Sequence, residues 1–336
     1  MSAPGTDLLT SLLRDVSRSF YSTLRILPAP VRPQIGLAYL LARATDTIAD
    51  TEVLPLDQRL DALERLRLRI LGASAEPVDF AGIAANQALP AERELLGRVE
   101  EAIGVLSTFP CFDRCCIREV VETITGGQEL DLRRFHAARV DHVVPLATEA
   151  DLDDYTYRVA GCVGGFWTRI CRSHLYPTAT LDLPTYLENA VRFGKGLQLV
   201  NILRDLPADL ARGRCYIPAE GLAREGLRPA DLGVPAHMER FRALYRRHLE
   251  TAVAHLEAGW KYTCSTPRAQ TRVRLACALP ILIGIETLRL LDRGNVLDGS
   301  RRIKVSRRQV RGILAKTLLR HPFPRGWVTL FSPLFA

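Results

Sequence analysis

The chain has 336 residues, of which 47% are hydrophobic and 24% charged, a composition typical of a globular protein with a sizeable core. Its formal net charge of +8 favours anionic partners such as phosphates, nucleic acid or acidic lipid without choosing among them. No run of 18 apolar residues and no secretory leader pattern is visible, so we expect a cytoplasmic protein.

Helical periodicity dominates the chain, and no convincing strand pattern is found. The expected fold class is all-α, in a single domain over 1–336 with a core at about 10–292 and a basic segment with an apolar tail at 293–336. The segment 73–90 is the best candidate loop. Helices are predicted at roughly 6–26, 32–51, 56–72, 91–106, 110–135, 151–174, 183–211, 235–262, 268–292 and 306–319.

The predicted helix 32–51 carries Tyr39, Arg43, Asp46 and Asp50 at offsets 0, 4, 7 and 11. These offsets place the four side chains in one stripe roughly 16 Å long. We call it the first acidic stripe. Two carboxylates four residues apart can bind a hard cation such as Mg²⁺, which prefers few carboxylates completed by water and phosphate oxygens.

The predicted helix 183–211 repeats the pattern, with Gln198, Asn201, Asp205 and Asp209 within roughly 80° of one another. We call this the second acidic stripe. Arg204 and Arg214 add positive charge nearby, as a diphosphate site requires. Pro207 lies between the two aspartates, so we expect a kink that affects the orientation of Asp209.

The DxxxD spacing alone is weak evidence, because Asp57 and Asp61 share it at the start of another predicted helix. Acidic residues suit the helix dipole there, so this copy predicts only a solvated helix start. The eight cysteines show no paired CxxC spacing and are expected to be reduced core residues.

Beyond these patterns, the sequence resembles the squalene and phytoene synthase family of head-to-head prenyl-diphosphate synthases, most closely the bacterial squalene synthases. The matching blocks are SRSFY (17–21), YLLARATDTIAD (39–50), GGQELDL (126–132), YTYRVAGCVG (155–164), GLQLVNILRDLPADLARGRCYIP (196–218) and ALPILIGIETL (278–288). The resemblance implies a helical bundle with a central cavity.

By position in these blocks, the resemblance assigns metal binding to Asp46, Asp50, Asp205 and Asp209. It assigns substrate contacts to Arg18, Ser19, Phe20, Tyr39, Arg43, Gln198, Asn201, Arg204 and Arg214. Arg43 and Tyr157 join the aspartates as catalytic candidates. Core packing is the structural alternative for Tyr155 and Tyr157, and close helix packing for Gly161, Gly164 and Gly165.

The activity that the resemblance implies is Mg²⁺-dependent condensation of two farnesyl diphosphates, through presqualene diphosphate, to squalene, with NADPH as reductant. Lys304 is a candidate cofactor contact. Phytoene or dehydrosqualene synthesis without reductant is the alternative, and a non-catalytic assembly protein of the same fold is a third hypothesis. The basic segment and tail predict peripheral contact with the inner face of a membrane. Nucleic-acid binding is not expected, because the sequence contains no recognised nucleic-acid-binding module.

Overall fold

The computed structural model describes residues 8–17 and 20–332. Its residues group into two compact units. Of the described residues, unit 1 contains those up to Arg133 and Phe166–Thr178, and unit 2 contains Arg134–Gly165 and those from Ala179 onward. The single domain predicted for 1–336 stays a prediction.

Unit 1 is built from helices around a core of leucine and alanine side chains on α3. Its elements are a π-helical turn (Leu8–Leu12), α1 (Leu13–Ser17), α2 (Phe20–Ile26), α3 (Arg32–Ala49), α4 (Leu56–Leu71), α5 (Ala81–Ala84), α6 (Pro90–Gly97), α7 (Val99–Ser107), α8 (Cys111–Arg134, whose last residue belongs to unit 2) and the second part of α10 (Cys162–Leu175). Helix α3 packs against α4, α6 and α7. Its buried face includes Leu37, Leu40, Leu41 and Ala44, while the first acidic stripe lies outside that face.

Unit 2 is centred on three long helices that pack against one another, α11 (Leu183–Leu210), α13 (Met238–Ser265) and α14 (Thr271–Arg293). The other elements are β1 (Val144–Pro145), α9 (Glu149–Thr156), a π-helical turn (Tyr157–Gly161), the start of α10, β2 (Arg214–Cys215), α12 (Ala219–Arg224), 3-10 turns at Pro229–Gly233 and Pro235–His237, α15 (Arg307–Arg320) and α16 (Pro324–Val328). Apolar side chains of α11, α13 and α14 form one continuous core cluster.

The end of the described chain is attached to this core through Trp327. Its indole is 2% exposed and stacks on Trp260, with ring centroids 5.3 Å apart. The guanidinium of Arg274 lies 4.7 Å from the Trp327 ring centroid, within cation–π range. A further bond runs from Arg289 Nη2 to the carbonyl oxygen of Ser332, at 2.7 Å. The segment after α14 is therefore part of the folded unit.

The all-α class is confirmed. The helix predicted at 91–106 is two helices, because Arg98 leaves the helical region with φ −114° and ψ 17°. The short helices α5, α12 and α16 were not predicted, nor was the parallel pairing of Val144 with Arg214. Two-residue strands carry no sequence pattern of their own, since what sets them is a backbone contact between distant segments.

The cysteine expectation is correct in part. All eight cysteines are free thiols, and Cys116, Cys171, Cys215 and Cys277 are buried. Cys111 and Cys115 are instead exposed in the first turns of α8. Among the helices of residues 8–17 and 20–332, none is long and apolar enough to span a bilayer.

Candidate functional site

The first acidic stripe lies on the last three turns of α3. Arg43 Nη1 donates to Asp46 Oδ2 at 2.5 Å, and its Nη2 donates to Glu92. Glu92 is in the first turn of α6, and only 14% of its side-chain surface is exposed. Arg43 therefore bridges two carboxylates that are 46 residues apart in sequence.

Asp46 and Asp50 destabilise one another as a pair of anions. Burial, and next the negative charge of Asp50, raise the pKa of Asp46 to about 6. The Asp46 side chain keeps 39% of its surface exposed, so it lies in a recess that solvent still reaches. Asp50 is the C-cap residue of α3, where a carboxylate is disfavoured by the helix dipole. The pair therefore suits a ligand that is strongly positive.

The structure distinguishes this pair from the similarly spaced Asp57 and Asp61. Both of the latter are exposed at the start of α4, and Asp61 pairs loosely with Arg65 at 4.0 Å. Arg59, between them, donates to the carbonyl oxygen of Ala49 at 3.0 Å and so satisfies the end of α3. The prediction of a solvated helix start is confirmed.

The second acidic stripe lies on the last half of α11, next to a face buried by Leu199, Leu203, Leu206 and Leu210. Arg204 makes two bonds to its neighbour Asp205, Nε to Oδ1 at 2.9 Å and Nη2 to Oδ2 at 2.5 Å. Each acidic stripe thus has an arginine bonded to its first aspartate. Arg302, from the segment after α14, approaches Asp205 Oδ1 at 4.0 Å.

Pro207 does not end α11, which continues through both aspartates to Leu210. Proline has no N–H for the carbonyl oxygen of Leu203, four residues earlier. The buried hydroxyl of Tyr245, on α13, donates to this oxygen at 3.0 Å instead. Burial raises the pKa of Tyr245 well above its ordinary value, which keeps the hydroxyl protonated as a donor. The carbonyl oxygen that Pro207 leaves without an intrahelical donor therefore has a partner from a second helix.

Arg214, the remaining arginine predicted for the second stripe, is in β2 and pairs with Val144 of β1. The preceding Gly213 has φ 75°, and a Cβ there would lie 2.2 Å from the carbonyl oxygen of Arg139. Only glycine fits this backbone conformation and this contact. The chain thus turns sharply after α11 and fixes Arg214 in a short parallel ladder.

The two tyrosines of the YTYRVAG block occupy different environments. Tyr155 is buried and stacks on Tyr216, with ring centroids 4.7 Å apart, so core packing is its role. Tyr157 starts the π-helical turn and is 41% exposed, with Lys195 Nζ 5.8 Å from its ring centroid. Single π turns occur often at functional sites. A catalytic role for Tyr157 stays a prediction.

Two glycines hold the π-helical segment directly against α11. A Cβ on Gly164 would lie 1.9 Å from the carbonyl oxygen of Ala190, and a Cβ on Gly194 would lie 2.2 Å from that of Ala160. The close-packing interpretation is therefore correct for Gly164. It is not correct for Gly165, around which a Cβ would meet no atom within 4 Å.

The remaining predicted site residues come from separate parts of the chain, and those that the structure describes differ in exposure. Arg18 and Ser19 lie outside the described residues, and Phe20 is the first residue of α2. Lys304 is exposed in the segment between α14 and α15. Gln198 is half-buried and Asn201 exposed on α11, while Tyr39 is half-buried on α3.

Sequence reasoning missed Glu92 and Tyr245. Glu92 reads as an ordinary acidic residue after a helix-starting proline, and Tyr245 as one more core aromatic. The one usable signal was Pro207, because a proline inside a helix leaves a carbonyl that some other donor must satisfy.

The chemistry of both stripes fits Mg²⁺. Within each unit, no three His, Cys, Asp or Glu side chains among the described residues form a closed metal site. Mg²⁺ rarely needs one, because water and substrate phosphate oxygens fill most of its coordination positions. A carboxylate pair such as Asp46 and Asp50, or Asp205 and Asp209, is the donor set that it uses in this way.

The family model named Squalene/phytoene synthase matches residues 13–309. The chain belongs to the squalene/phytoene synthase family. Members of this family are prenyltransferases that condense prenyl diphosphates head to head, so the chain is an enzyme of that class.

Among its relatives in the family is a presqualene diphosphate synthase of Rhodopseudomonas palustris, 32% identical over 74% of this chain and 76% of the relative. A bifunctional lycopene cyclase/phytoene synthase of Blakeslea trispora is 30% identical over 64% of this chain, which spans only 33% of that protein. The solved structure of TcSQS with the ligand E5700 has a TM-score of 0.76 at 22% identity, covering 98% of this chain and 92% of the other, and supports the fold.

Proposed function

We propose that this enzyme joins two farnesyl diphosphates head to head into presqualene diphosphate and reduces it to squalene with NADPH. The observation that carries the proposal is the repeated arrangement of two carboxylates four residues apart with an arginine on the first. It occurs at Asp46 with Arg43 and at Asp205 with Arg204. The 32% identity to a presqualene diphosphate synthase supports the choice of a C15 substrate.

The proposed chemistry begins with cleavage of the allylic C–O bond of one substrate, whose diphosphate leaves with the electron pair. Mg²⁺ held by a carboxylate pair, Asp46 with Asp50 or Asp205 with Asp209, would supply charge stabilisation to that leaving group. The arginines suit the same task, because a guanidinium donates two parallel hydrogen bonds to phosphate oxygens. Arg43 keeps its positive charge for it, since Asp46 and Glu92 raise its pKa despite burial.

The double bond of the second substrate then attacks the allylic cation, and loss of a proton closes the cyclopropane ring of presqualene diphosphate. Tyr157 or the released diphosphate would accept that proton. Water must be excluded, because it would quench the cation. In the proposed reductive step the remaining C–O bond would break, with the second diphosphate leaving with the electron pair. NADPH would supply the hydride that the resulting carbocation accepts, and Lys304 would contact the cofactor's phosphates.

A second candidate function ends at presqualene diphosphate. The name of the Rhodopseudomonas palustris relative favours it, since that enzyme is called a presqualene diphosphate synthase. The phytoene alternative draws support from the Blakeslea trispora relative, whose name includes phytoene synthase.

The test is incubation of the purified chain with farnesyl diphosphate and Mg²⁺, with and without NADPH, followed by identification of the product. Squalene formed only with NADPH would support the proposal. Presqualene diphosphate in both reactions would establish the second candidate, and dehydrosqualene in both would exclude the reductive step. Conversion of only the C20 homologue would point to phytoene, and no turnover of either substrate would contradict an enzymatic role.

A further inference from the structure

The positive charge of the chain is concentrated at one end. Nine of the 45 Lys and Arg residues, and none of the 37 Asp and Glu residues, lie after Asp298. The last 38 residues therefore carry a formal charge of +9, and the preceding 298 carry −1. The net positive charge of the whole chain therefore comes from this C-terminal segment alone.

Exposed apolar side chains concentrate in the same segment. Twelve large hydrophobic residues are exposed among those that the structure describes, and five of them fall within 15 positions. These are Leu314 (40%), Leu318 (51%), Leu319 (72%), Phe323 (65%) and Val328 (58%). The other seven are spread from Val53 to Val234. Scattered exposed hydrophobic residues are ordinary, but a contiguous group is a mark of an interaction surface.

Helix α15 brings the charged and the apolar groups onto one face. Arg307, Arg311, Leu314 and Leu318 have offsets 0, 4, 7 and 11, which places them within roughly 60° of one another. All four are exposed. The face is cationic along the first turns of the helix and apolar along the last turns. Leu319 is exposed on the adjoining side of the helix, roughly 100° from Leu318, and the exposed Phe323 follows the end of α15.

The opposite side of α15 is held by the protein. The Thr317 side chain is fully buried, and Gln309 Nε2 donates to Glu286 Oε1 of α14 at 3.0 Å. A capping box between Ser306 and Gln309 starts the helix. The exposed side of α15 is thus attached to the folded unit, and we call it, together with the exposed Phe323 and Val328 that follow in the chain, the C-terminal face.

We propose that the C-terminal face binds the surface of an anionic lipid bilayer. Lys and Arg attract acidic headgroups by about 1 kcal/mol each, while leucine and phenylalanine side chains enter the boundary of the acyl chains. This mixture fits a lipid interface better than its competitors. Nucleic acid would leave the leucines without a partner, and two like-charged C-terminal faces would repel each other in a symmetric dimer.

The test is flotation of the full chain, treated with nuclease, with vesicles of phosphatidylcholine alone or of phosphatidylcholine with phosphatidylglycerol. We expect binding to the anionic vesicles, weaker binding to the neutral ones, and a decrease with added salt. Binding that does not depend on lipid charge would overturn the proposal. The assay uses no substrate, so its outcome is separate from that of the activity test.

Variants locate the surface. Leu318→Glu with Leu319→Glu should abolish flotation, whereas the control Val140→Glu, at a site 74% exposed and outside the face, should float like the parent protein. Arg307→Gln with Arg311→Gln should weaken anionic-vesicle binding about fivefold for each cation removed. Thermal melts should be the same for all of these variants, since every site is exposed.

Two results would assign the face to a different partner. If Leu318→Glu with Leu319→Glu floats normally but turns a sedimenting dimer into a monomer, the face is a contact between two copies of the chain. If the nuclease-treated chain floats with neither kind of vesicle but binds nucleic acid at physiological salt, and Arg307→Gln with Arg311→Gln weakens that binding, the face is a nucleic-acid surface. Either outcome contradicts the lipid proposal.

Discussion

The hydrogen bond from Tyr245 to the carbonyl oxygen of Leu203 can be tested by removing its donor. Tyr245→Phe keeps the buried ring but leaves a buried carbonyl without a partner, because Pro207 has no N–H to offer. Loss of such a partner costs about 1–3 kcal/mol. We expect urea unfolding of Tyr245→Phe to give a free energy of unfolding lower than the parent value by about 2 kcal/mol.

A second substitution separates the hydrogen bond from packing. Pro207→Ala restores a backbone N–H to Leu203, so Tyr245→Phe should cost about 1 kcal/mol less in that background than in the parent. Tyr157→Phe is the matched control, because its hydroxyl belongs to an exposed side chain, and it should leave stability unchanged. An equal cost of Tyr245→Phe with and without Pro207 would refute the explanation and leave only a packing role for Tyr245.

The other predictions concern the acidic stripe, the helix contact and a buried histidine. Asp46→Ala should abolish turnover in the prenyl diphosphate assay without loss of thermal stability, because it removes the repulsion between Asp46 and Asp50. The control Asp57→Ala should retain full activity. Normal turnover of Asp46→Ala would contradict the metal assignment. Gly164→Ala should prevent stable folding or cost more than about 3 kcal/mol in urea unfolding, because its Cβ would overlap the backbone of Ala190; a stable variant would mean that the helices separate at little cost. His248 is 3% exposed, and burial, with a smaller effect of Arg247, lowers its pKa to about 4. In the unfolded chain this histidine has the ordinary pKa of 6.5, so between pH 6.5 and 4 His248 is protonated only when the chain is unfolded. As the pH is lowered through this range, the free energy of unfolding should fall by up to about 3 kcal/mol because of this residue. His248→Gln should reduce that slope, measured by urea unfolding at several pH values, and an unchanged slope would show that other groups cause it.

The long helices were predictable because their signal is local. The buried leucines of α11 recur with helical periodicity, and the polar stripe beside them follows the same spacing. The solvated position of the Asp57 and Asp61 pair was also predictable, since the helix start, the neighbouring charges and the flanking proline are all adjacent in sequence. In each case one segment contains the information that decides its structure.

The partners of the stripes were not predictable in the same way. Glu92 reaches Arg43 across 49 positions, and Tyr245 reaches Leu203 across 42. Neither residue has a local pattern that distinguishes it from other helix-start acids or core aromatics. Such partners depend on tertiary packing, which a single sequence does not display. The break at Arg98 is different, because Gly97 directly before it is a residue type that weakens helices.

The attachment of Trp327 to the core has a consequence for how the enzyme would meet a bilayer. A protein held at a membrane by a mobile tail can tumble, and its distance from the lipid is set by the length of the linker. Here the indole of Trp327 lies stacked on Trp260 and beside Arg274, and α15 is tied to Glu286 of α14. Contact through the C-terminal face would therefore fix both the tilt of unit 2 and the height of each of its helices above the lipid.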